Sequence, residues 1–263
     1  MPASRNELVN KEFWDKRHRT QAKISLYPRP DVYYLDYELD LIFRKYLAGK
    51  SGRTILEAGC GSSVWLPYFS KEFGLKIYGI DYSEVGLELS RRILQRNKVA
   101  GKLILGDFMT VKDDLREAFD FVFALGVIEH FTQPLMVMEK LKSFLKPGGR
   151  LILWVPNLAG WILRLNHIFN PHRENFYGDL GPDKLMALHR ELNLGIVEAR
   201  FTQFLDLMLV NLTKLPSFLE KGLARFFRAM GLFFIFTGKF LQLRPRFKPL
   251  CSGFIVVSEK KTV

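Results

Sequence analysis

Short apolar runs recur along the middle of the chain, and helical patterns separate them. In the helical stretches the apolar positions lie three or four residues apart, as after Tyr82, where Ser83 is the expected N-cap. The apolar runs predict five strands, at residues 54–58, 76–80, 103–105, 119–124 and 150–155. Pro147-Gly148-Gly149 predicts a turn that leads into the last of them. Short strands that alternate with helices indicate βαβ units and a parallel sheet.

Further elements are predicted on both sides of these strands. Two helices come first, at residues 6–19 and 31–47, the second with Asp31 as its N-cap after Pro30. The pattern after Pro156 predicts a helix near 158–168, a loop over 170–178, a helix at 183–191, and strands at 195–201 and 253–258. The fold class is therefore α/β.

Charge is concentrated in one segment of the chain. The 263 residues carry a formal net charge of +12. Residues 203–250 contain eight Lys and Arg against two Asp and Glu, so this segment supplies +6 of that excess. Basic segments attract polyanions, either nucleic acid or anionic lipid.

The cysteines and the apolar runs bear on location. Cys60 and Cys251 are too few for a disulfide framework and lack zinc-site spacing, which favours a reducing compartment. The first residues lack the apolar core of a signal peptide, and no run reaches the roughly 18 apolar residues of a spanning helix. We therefore expect a cytoplasmic protein.

The motif with the clearest chemistry follows the first predicted strand. Residues 55–63 read Ile-Leu-Glu-Ala-Gly-Cys-Gly-Ser-Ser, with Gly59 and Gly61 in a turn where the main chain is able to approach a ligand closely. A dinucleotide fingerprint needs a third glycine at position 64, where this chain has Val64. This departure argues against an NAD enzyme.

Three more candidate positions lie at the ends of later strands. Asp81 ends the second strand, Asp107 and Phe108 follow the third, and Leu125-Gly126 ends the fourth. Asp81 suits the two hydroxyls of a ribose, whereas Asp107 and Phe108 suit an adenine amino group and ring face. Singly, each aspartate is equally interpretable as a loop or helix-start residue. Their shared position at successive carboxyl ends of strands favours one ligand site.

Together these residues resemble the successive motifs of class I S-adenosyl-L-methionine (SAM)-dependent methyltransferases. The resemblance covers residues 53–155 and includes Lys146-Pro147-Gly148-Gly149. It implies a Rossmann-like, seven-stranded, mostly parallel sheet with an antiparallel last strand, and SAM as cofactor. It also implies that Glu57 and the turn through Gly59, Cys60 and Gly61 lie near the methionine part, Asp81 and Tyr82 near the ribose, Asp107 and Phe108 near the adenine, and Leu125 and Gly126 beside them.

Residues 13–18, Phe-Trp-Asp-Lys-Arg-His, are similar to an N-terminal lid of some of these enzymes. The similarity implies that Trp14 or Arg17 closes over the cofactor. An amphipathic surface helix is the alternative interpretation.

Glu129 and His130 are the candidate catalytic residues. They follow the fourth strand, and an imidazole suits general-base chemistry near neutral pH. The alternative is that the pair only braces the next helix. The stretch also resembles the ubiquinone-biosynthesis O-methyltransferases, which carry E-x-x-E-H here. Gly126 replaces the first Glu of that motif, so we expect no metal, and a quinol acceptor is less well supported.

The basic segment is rich in Phe, and its apolar residues recur at helical spacing from Leu215 to Met230. We divide the chain into an N-terminal helical lid (1–50), a SAM-binding core (51–203), this helical insertion (204–250) and a terminal strand (251–263). The insertion is interpreted as a lid facing an anionic membrane surface, a folded substrate cap or a homodimer contact. The clustering of its Phe residues argued against nucleic acid as the acceptor.

These observations predict a SAM-dependent methyltransferase that acts on a lipophilic small molecule, at an oxygen, near a membrane. A soluble enzyme for a natural product or a glycan precursor is one alternative. A SAM-binding protein without catalysis is the other.

Overall fold

The strands form where the apolar runs occur. The computed structural model describes residues 7–20, 25–111, 113–161, 164–165, 177–178, 180–206 and 215–262. Its strands are β1 (Thr54–Ala58), β2 (Lys76–Asp81), β3 (Lys102–Leu105), β4 (Phe119–Leu125), β5 (Leu145–Pro156), β6 (Leu194–Phe204) and β7 (Cys251–Lys260). Each predicted strand is therefore present, although several extend beyond their predicted bounds.

The strands build one sheet in the order β3-β2-β1-β4-β5-β7-β6. Neighbours from β3 to β5 pair in parallel, whereas β7 is antiparallel to both β5 and β6. This topology confirms the predicted Rossmann-like sheet with an antiparallel last strand. The strand order reverses between β1 and β4, and ligands of such sheets bind outside the carboxyl ends of the strands at that point.

Helices cover both faces of the sheet. They are α1 (Lys11–Arg19), α2 (Tyr34–Leu47), α3 (Trp65–Phe73), α4 (Glu84–Asn97), α5 (Pro134–Phe144), α6 (Pro182–Glu191) and α7 (Ser217–Phe240). Ser83 caps α4 as predicted, because its hydroxyl accepts the Gly86 amide at 3.0 Å. The helix and loop predicted at 158–168 and 170–178 lie largely outside the described residues.

Three predicted boundaries were wrong. Helix α1 begins only at Lys11, because the Asn10 side chain accepts the Phe13 amide and caps it there. Asp31 does not cap α2, since residues 29–33 form a turn in which the Val32 amide donates to the Arg29 carbonyl. The predicted Pro-Gly-Gly turn at 147–149 lies inside β5, whose ladder with β4 is irregular at that end.

Helix α2 belongs to the core. Its Phe43 is fully buried and meets Trp65, Phe69 and Phe123 with ring centroids 5.1, 4.8 and 5.1 Å away. These rings join one apolar cluster on the α2–α3–α4 side of the sheet, and a second cluster fills the α5–α6 side. Of the N-terminal helices predicted as a lid, α2 is therefore fixed to the sheet.

Removal of the Phe43 ring tests this placement. We expect Phe43→Ala to lower the free energy of unfolding by about 3–5 kcal/mol in urea titration. The lost ring would leave a cavity, and the neighbouring rings, which are packed edge to face, cannot move in to fill it. Met136→Ala, at a side chain that is 46% exposed, is the control and should cost less than about 1 kcal/mol. Equal losses for the two variants would contradict the core position of α2.

Candidate active site

A cavity of about 580 Å³ opens at the carboxyl ends of β1, β2 and β4. Its volume lies within the usual range of small-ligand sites. The predicted site residues that line it are Trp14, Glu57, Gly59, Cys60, Gly61, Asp81, Tyr82, Phe108, Leu125, Gly126 and His130. The structure therefore brings most of the predicted set to one place.

Hydrogen bonds from β2 and α4 hold the turn after β1 in place. The Gly59 amide donates to the Ile80 carbonyl at 2.9 Å, which ties the turn to β2. From α4, the Ser90 hydroxyl accepts the Ser63 amide at 2.9 Å and donates to the Gly61 carbonyl at 2.5 Å. The turn also lines the cavity, so a ligand bound there would contact its main chain.

Asp81 connects this turn to the start of α4. Its Oδ2 accepts the Gly61 amide and its Oδ1 accepts the Ser83 amide, both at 2.7 Å. Burial raises the pKa of this carboxyl, and the two amide donors oppose that shift. A carboxylate has about four acceptor sites, so capacity remains for further donors such as ribose hydroxyls.

Glu57 is a second buried carboxyl beside the turn, 4% exposed. Its Oε2 accepts the Ser63 hydroxyl at 2.5 Å. Burial raises the pKa of Glu57 to about 8, the Ser63 hydrogen bond opposes the shift and the charge of Asp81 adds to it. A buried carboxyl at a cavity wall favours a cationic ligand group, because the opposite charge compensates for its desolvation.

Cys60 is a packing residue in this structure. A Cβ atom at Gly79 would lie 2.8 Å from its Sγ, so the thiol fits against a strand position without a side chain. Burial raises the pKa of the thiol well above its usual value, which keeps it protonated.

The N-terminal segment, residues 7–20, closes one side of the cavity. The Leu8 amide donates to the His130 carbonyl at 2.8 Å, and the Asp15 carboxylate accepts the Ser83 hydroxyl at 2.5 Å. Trp14 and Arg17 of α1 both line the cavity, and their closure over a cofactor stays a prediction. The segment thus contacts the loops after β2 and after β4.

His18 is a lining residue that the sequence analysis missed. A Cβ atom at Gly61 would lie 2.8 Å from its Cε1, so the imidazole covers the glycine turn and requires a glycine there. Burial and the charge of Arg17 lower the pKa of His18. Its signal in the sequence was the four-residue spacing from Trp14, which places both side chains on one face of α1.

His130 lies between two aromatic rings. Its ring meets Trp14 edge-on at 5.2 Å between centroids and stacks with Tyr177 at 5.3 Å. Val9 and Phe131 also line the cavity. Val9 precedes Trp14 by five residues, and Phe131 directly follows His130. The rings give the His130 end of the cavity an aromatic wall, and Glu7, which pairs with Phe131, is the carboxylate that lines the cavity on this side.

Glu129 differs from its prediction, because it does not line the cavity. Residues 128–130 form a 3₁₀ helix, in which successive side chains point about 120° apart. Glu129 consequently enters the core, where it is 2% exposed and its Oε2 has no hydrogen-bond partner among the described residues. Burial raises the pKa of Glu129 to about 8.

Gly126 has a conformational reason to be glycine. Its φ is +66°, and a Cβ atom there would lie 3.4 Å from Oε1 of Glu129. A glutamate at this position would be strained and would bring a second carboxylate toward Glu129. Within the described part of the chain, no group of three His, Cys, Asp or Glu residues is placed to hold a metal ion.

Asp107 also lies outside the cavity lining. Its carboxylate accepts the Met109 amide at 2.9 Å and stabilises the turn after β3. Phe108 does line the cavity and is buried against Phe131. The adenine role of Asp107 therefore stays a prediction.

The residues present fit SAM. The glycine turn lies between the buried carboxyl of Glu57 and the partly buried carboxyl of Asp81, which match the cationic amino group and the ribose hydroxyls of this molecule. The predicted cofactor is thus compatible with the charges and the volume of the cavity.

Comparison with curated proteins contradicts one prediction. The chain is 35% identical over 121 residues to a tRNA U34 carboxymethyltransferase of Haemophilus influenzae, covering 45% of this chain and 36% of that protein. It is 33% identical over 110 residues to the enzyme of the same name from Idiomarina loihiensis, covering 41% and 34%. The matched part spans about a third of these relatives. Because their names specify a tRNA substrate, the argument against nucleic acid was wrong: the Phe-rich segment says nothing about what enters the cavity.

Comparison with solved structures supports the fold. Phosphoethanolamine N-methyltransferase 2 of Haemonchus contortus, solved with SAM, superposes with a TM-score of 0.67 at 16% identity, covering 97% of this chain and 60% of that one. The sequence model of the family described as "Methyltransferase domain" matches residues 32–232. The predicted superfamily and its cofactor are confirmed. The chain belongs to the methyltransferase domain family, within the class I SAM-dependent methyltransferases.

Proposed function

We propose that this methyltransferase modifies an oxygen of a lipophilic small molecule bound beside His130. The observation that carries the proposal is the position of the imidazole, at the cavity and between the rings of Trp14 and Tyr177. An aromatic, apolar wall favours an acceptor with a flat or apolar body. A hydroxyl of that acceptor would then lie next to a base.

The carboxylate end of the cavity would hold the cofactor. Glu57 would pair with the amino group of SAM, Asp81 would accept its ribose hydroxyls, and Phe108 would pack against its adenine. Bound SAM supplies the electrophilic methyl group. The glycine turn and the two carboxyls orient that molecule toward His130, and orientation is a large part of catalysis in a displacement.

His130 would act as the general base. Its ring nitrogen would take the proton from the acceptor hydroxyl as the oxygen bonds to the methyl carbon and the bond from that carbon to sulfur breaks, which leaves S-adenosylhomocysteine. The two rings that contact the imidazole fix its plane, and the Leu8 amide fixes its backbone carbonyl. The N-terminal segment would thereby serve as a lid that both excludes water and positions the base.

We propose a positioning role for Glu129. Its buried, protonated carboxyl lies under Gly126 and supports the loop that carries His130. The role of α7 as a cap over the acceptor also remains a proposal, since no described residue of α7 lines the cavity.

A tRNA nucleotide is a second candidate acceptor. The observation that favours it is the similarity to the tRNA U34 carboxymethyltransferases, together with the net charge of +12. A nucleobase is able to stack on aromatic side chains, so the rings around His130 are compatible with it. A glycan precursor or another soluble natural product is less well supported as the acceptor, because a polar molecule would gain little from contact with the apolar wall.

Asp81 should be required for cofactor affinity. Because its second oxygen would accept ribose hydroxyls, we expect Asp81→Asn to weaken SAM binding about tenfold or more in isothermal titration. Glu88→Gln, an exposed carboxyl on α4, is the matched control and should bind SAM like the unmodified protein. NAD should give no heat. Unchanged SAM affinity in Asp81→Asn would remove the ribose assignment.

His130 should be required for turnover and not for cofactor binding. We expect His130→Gln to reduce methyl transfer by about 100-fold or more, because the imidazole base is lost, while SAM affinity changes less than about threefold. The measurement uses SAM with a radiolabelled methyl group and, separately, a total lipid extract and total tRNA.

Each result of this assay has one meaning. Label in the lipid fraction that depends on His130 supports the proposal. Label in tRNA alone would replace it with the second candidate. With neither fraction labelled and no S-adenosylhomocysteine released, the lipophilic acceptor would be rejected.

Glu129 should make stability depend on pH. Its folded-state pKa of about 8 exceeds the ordinary value of 4.5, so the folded protein binds the extra proton between these values. The stabilisation is complete below pH 4.5 and is lost as the pH rises to 8. We expect Glu129→Gln to remove about 1 kcal/mol per pH unit from the slope of unfolding free energy between pH 6 and 8. Glu139→Gln, on the exposed side of α5, should keep the original slope.

A further inference from the structure

Helix α7 has two apolar faces, of which one packs on the protein. Its packing face consists of Phe227, Gly231, Ile235 and Gly238, all buried. Beside it, Phe234 stacks on Tyr34 of α2, with ring centroids 5.9 Å apart and planes 14° from parallel. This face accounts for the attachment of α7 to the fold.

The opposite face is a ridge of exposed phenylalanines. The side chains of the phenylalanine ridge are between 54% and 73% exposed: Phe218, Phe226, Phe233, Phe236 and Phe240. At about 100° per residue these five positions fall within an arc of about 80°, centred roughly 180° from the packing face. Together they expose on the order of 600 Å² of aromatic surface, as much as the largest apolar patches of monomeric proteins.

A basic flank borders the ridge on one side. Lys221, Arg225, Arg228 and Lys239 are exposed and lie roughly 90° from the ridge, between it and the packing face. Arg228 lies over the ring of Tyr33, just before α2, and Lys239 lies over the ring of Tyr37 in α2, 5.6 and 5.9 Å from the ring centroids. Glu220 is the single acidic residue of α7. The ridge and this flank therefore offer aromatic rings and positive charge to the same partner.

We propose that the phenylalanine ridge docks α7 on an anionic lipid bilayer, with the helix axis parallel to the membrane plane. The rings would enter the acyl boundary while the basic flank contacts lipid phosphates. None of the helices formed by the described residues is long and apolar enough to cross a bilayer. The proposal extends the proposed function, because a lipophilic acceptor would be dissolved in that bilayer.

Charge and shape favour lipid over the other partners of this surface. Two copies packed ridge to ridge would place two basic flanks in one interface with no acidic residue of α7 to balance them, because Glu220 lies on the packing side of the helix. RNA would pair with the basic flank, yet the ridge is a convex helix face and offers no groove for its backbone. A bilayer surface takes up both the rings and the charges.

The position of α7 in the fold agrees with this orientation. Strand β6 runs parallel to β4, since both β6 and β5 are antiparallel to β7. Its end at Phe204 thus lies at the sheet edge that carries the cavity, and Phe204 itself contacts Phe234 of α7 with centroids 5.3 Å apart. Docking through the ridge would bring that edge of the sheet toward the membrane.

Vesicle co-sedimentation of the full chain tests the proposal. The vesicles are phosphatidylcholine alone or with about one third phosphatidylglycerol. We expect binding to the anionic vesicles to exceed binding to the neutral ones about tenfold, and the variant Phe226→Ser/Phe233→Ser/Phe236→Ser to lose about tenfold or more. Leu105→Ser/Met136→Ser/Val197→Ser, at exposed apolar residues outside α7, is the matched control and should bind like the unmodified protein.

Further measurements separate this proposal from the proposed function and from a folding defect. SAM titration of each variant reports the fold, and only variants with unchanged SAM affinity are compared. Vesicle binding needs no acceptor. The docking proposal is therefore able to fail while methyl transfer succeeds, and methyl transfer is able to fail while vesicle binding succeeds. Equal vesicle binding of the ridge and control variants would overturn the docking proposal. Two other results would also overturn it, each in the absence of vesicle binding. One is a dimer in sedimentation equilibrium that the ridge substitutions abolish, and the other is an RNA complex in gel shift that they abolish.

Discussion

The carboxylate of Asp81 joins the ends of two neighbouring strands, and the geometry of the cavity depends on this junction. One oxygen binds the amide in the turn after β1 and the other binds the amide at the start of α4. A buried carboxylate is stable only when donors compensate for its lost hydration. Because those donors are main-chain amides, the acid fixes the backbone that a ligand would approach. Ser90 secures the same turn from the opposite side.

The cavity has two ends of different character. Near the glycine turn, the buried Glu57 and the partly buried Asp81 supply carboxyls that suit a cationic cosubstrate. Around His130, Trp14 of α1 and Phe131 of the loop after β4 line the cavity, and Tyr177 stacks on the imidazole. Segments far apart in sequence thus meet at the imidazole. In the proposed function, the core would bind the cofactor, and the segments attached to the core would bind the acceptor.

This separation explains why family membership leaves the acceptor open. The curated relatives match less than half of this chain, and the Haemonchus contortus enzyme shares its fold at 16% identity. Helix α7 is unusual because its apolar residues exceed what its contact with α2 requires, and the excess forms one continuous exposed face. Exposed apolar faces of this size are typical of interaction surfaces, and the proposed bilayer contact would cover this one.

The sequence by itself determined the elements and their order. Strands formed where apolar residues cluster, Ser83 capped α4, and the glycine turn, Asp81 and His130 came to the same sheet edge, because parallel strands with alternating helices place successive loops there. These features follow from local hydrogen bonding and from the repeated strand–helix–strand connection. They are predictable without knowing which side chains are in contact.

Tertiary structure decided which partner each side chain took. Only packing showed that α2 belongs to the core through Phe43, that His18 covers the glycine turn, and that Glu129 enters the core while His130 faces the cavity. Periodicity shows that a helix has apolar positions, but burial depends on what the rest of the chain brings against them. Helix α7 is apolar on opposite sides, and only its contact with α2 decided which side is covered.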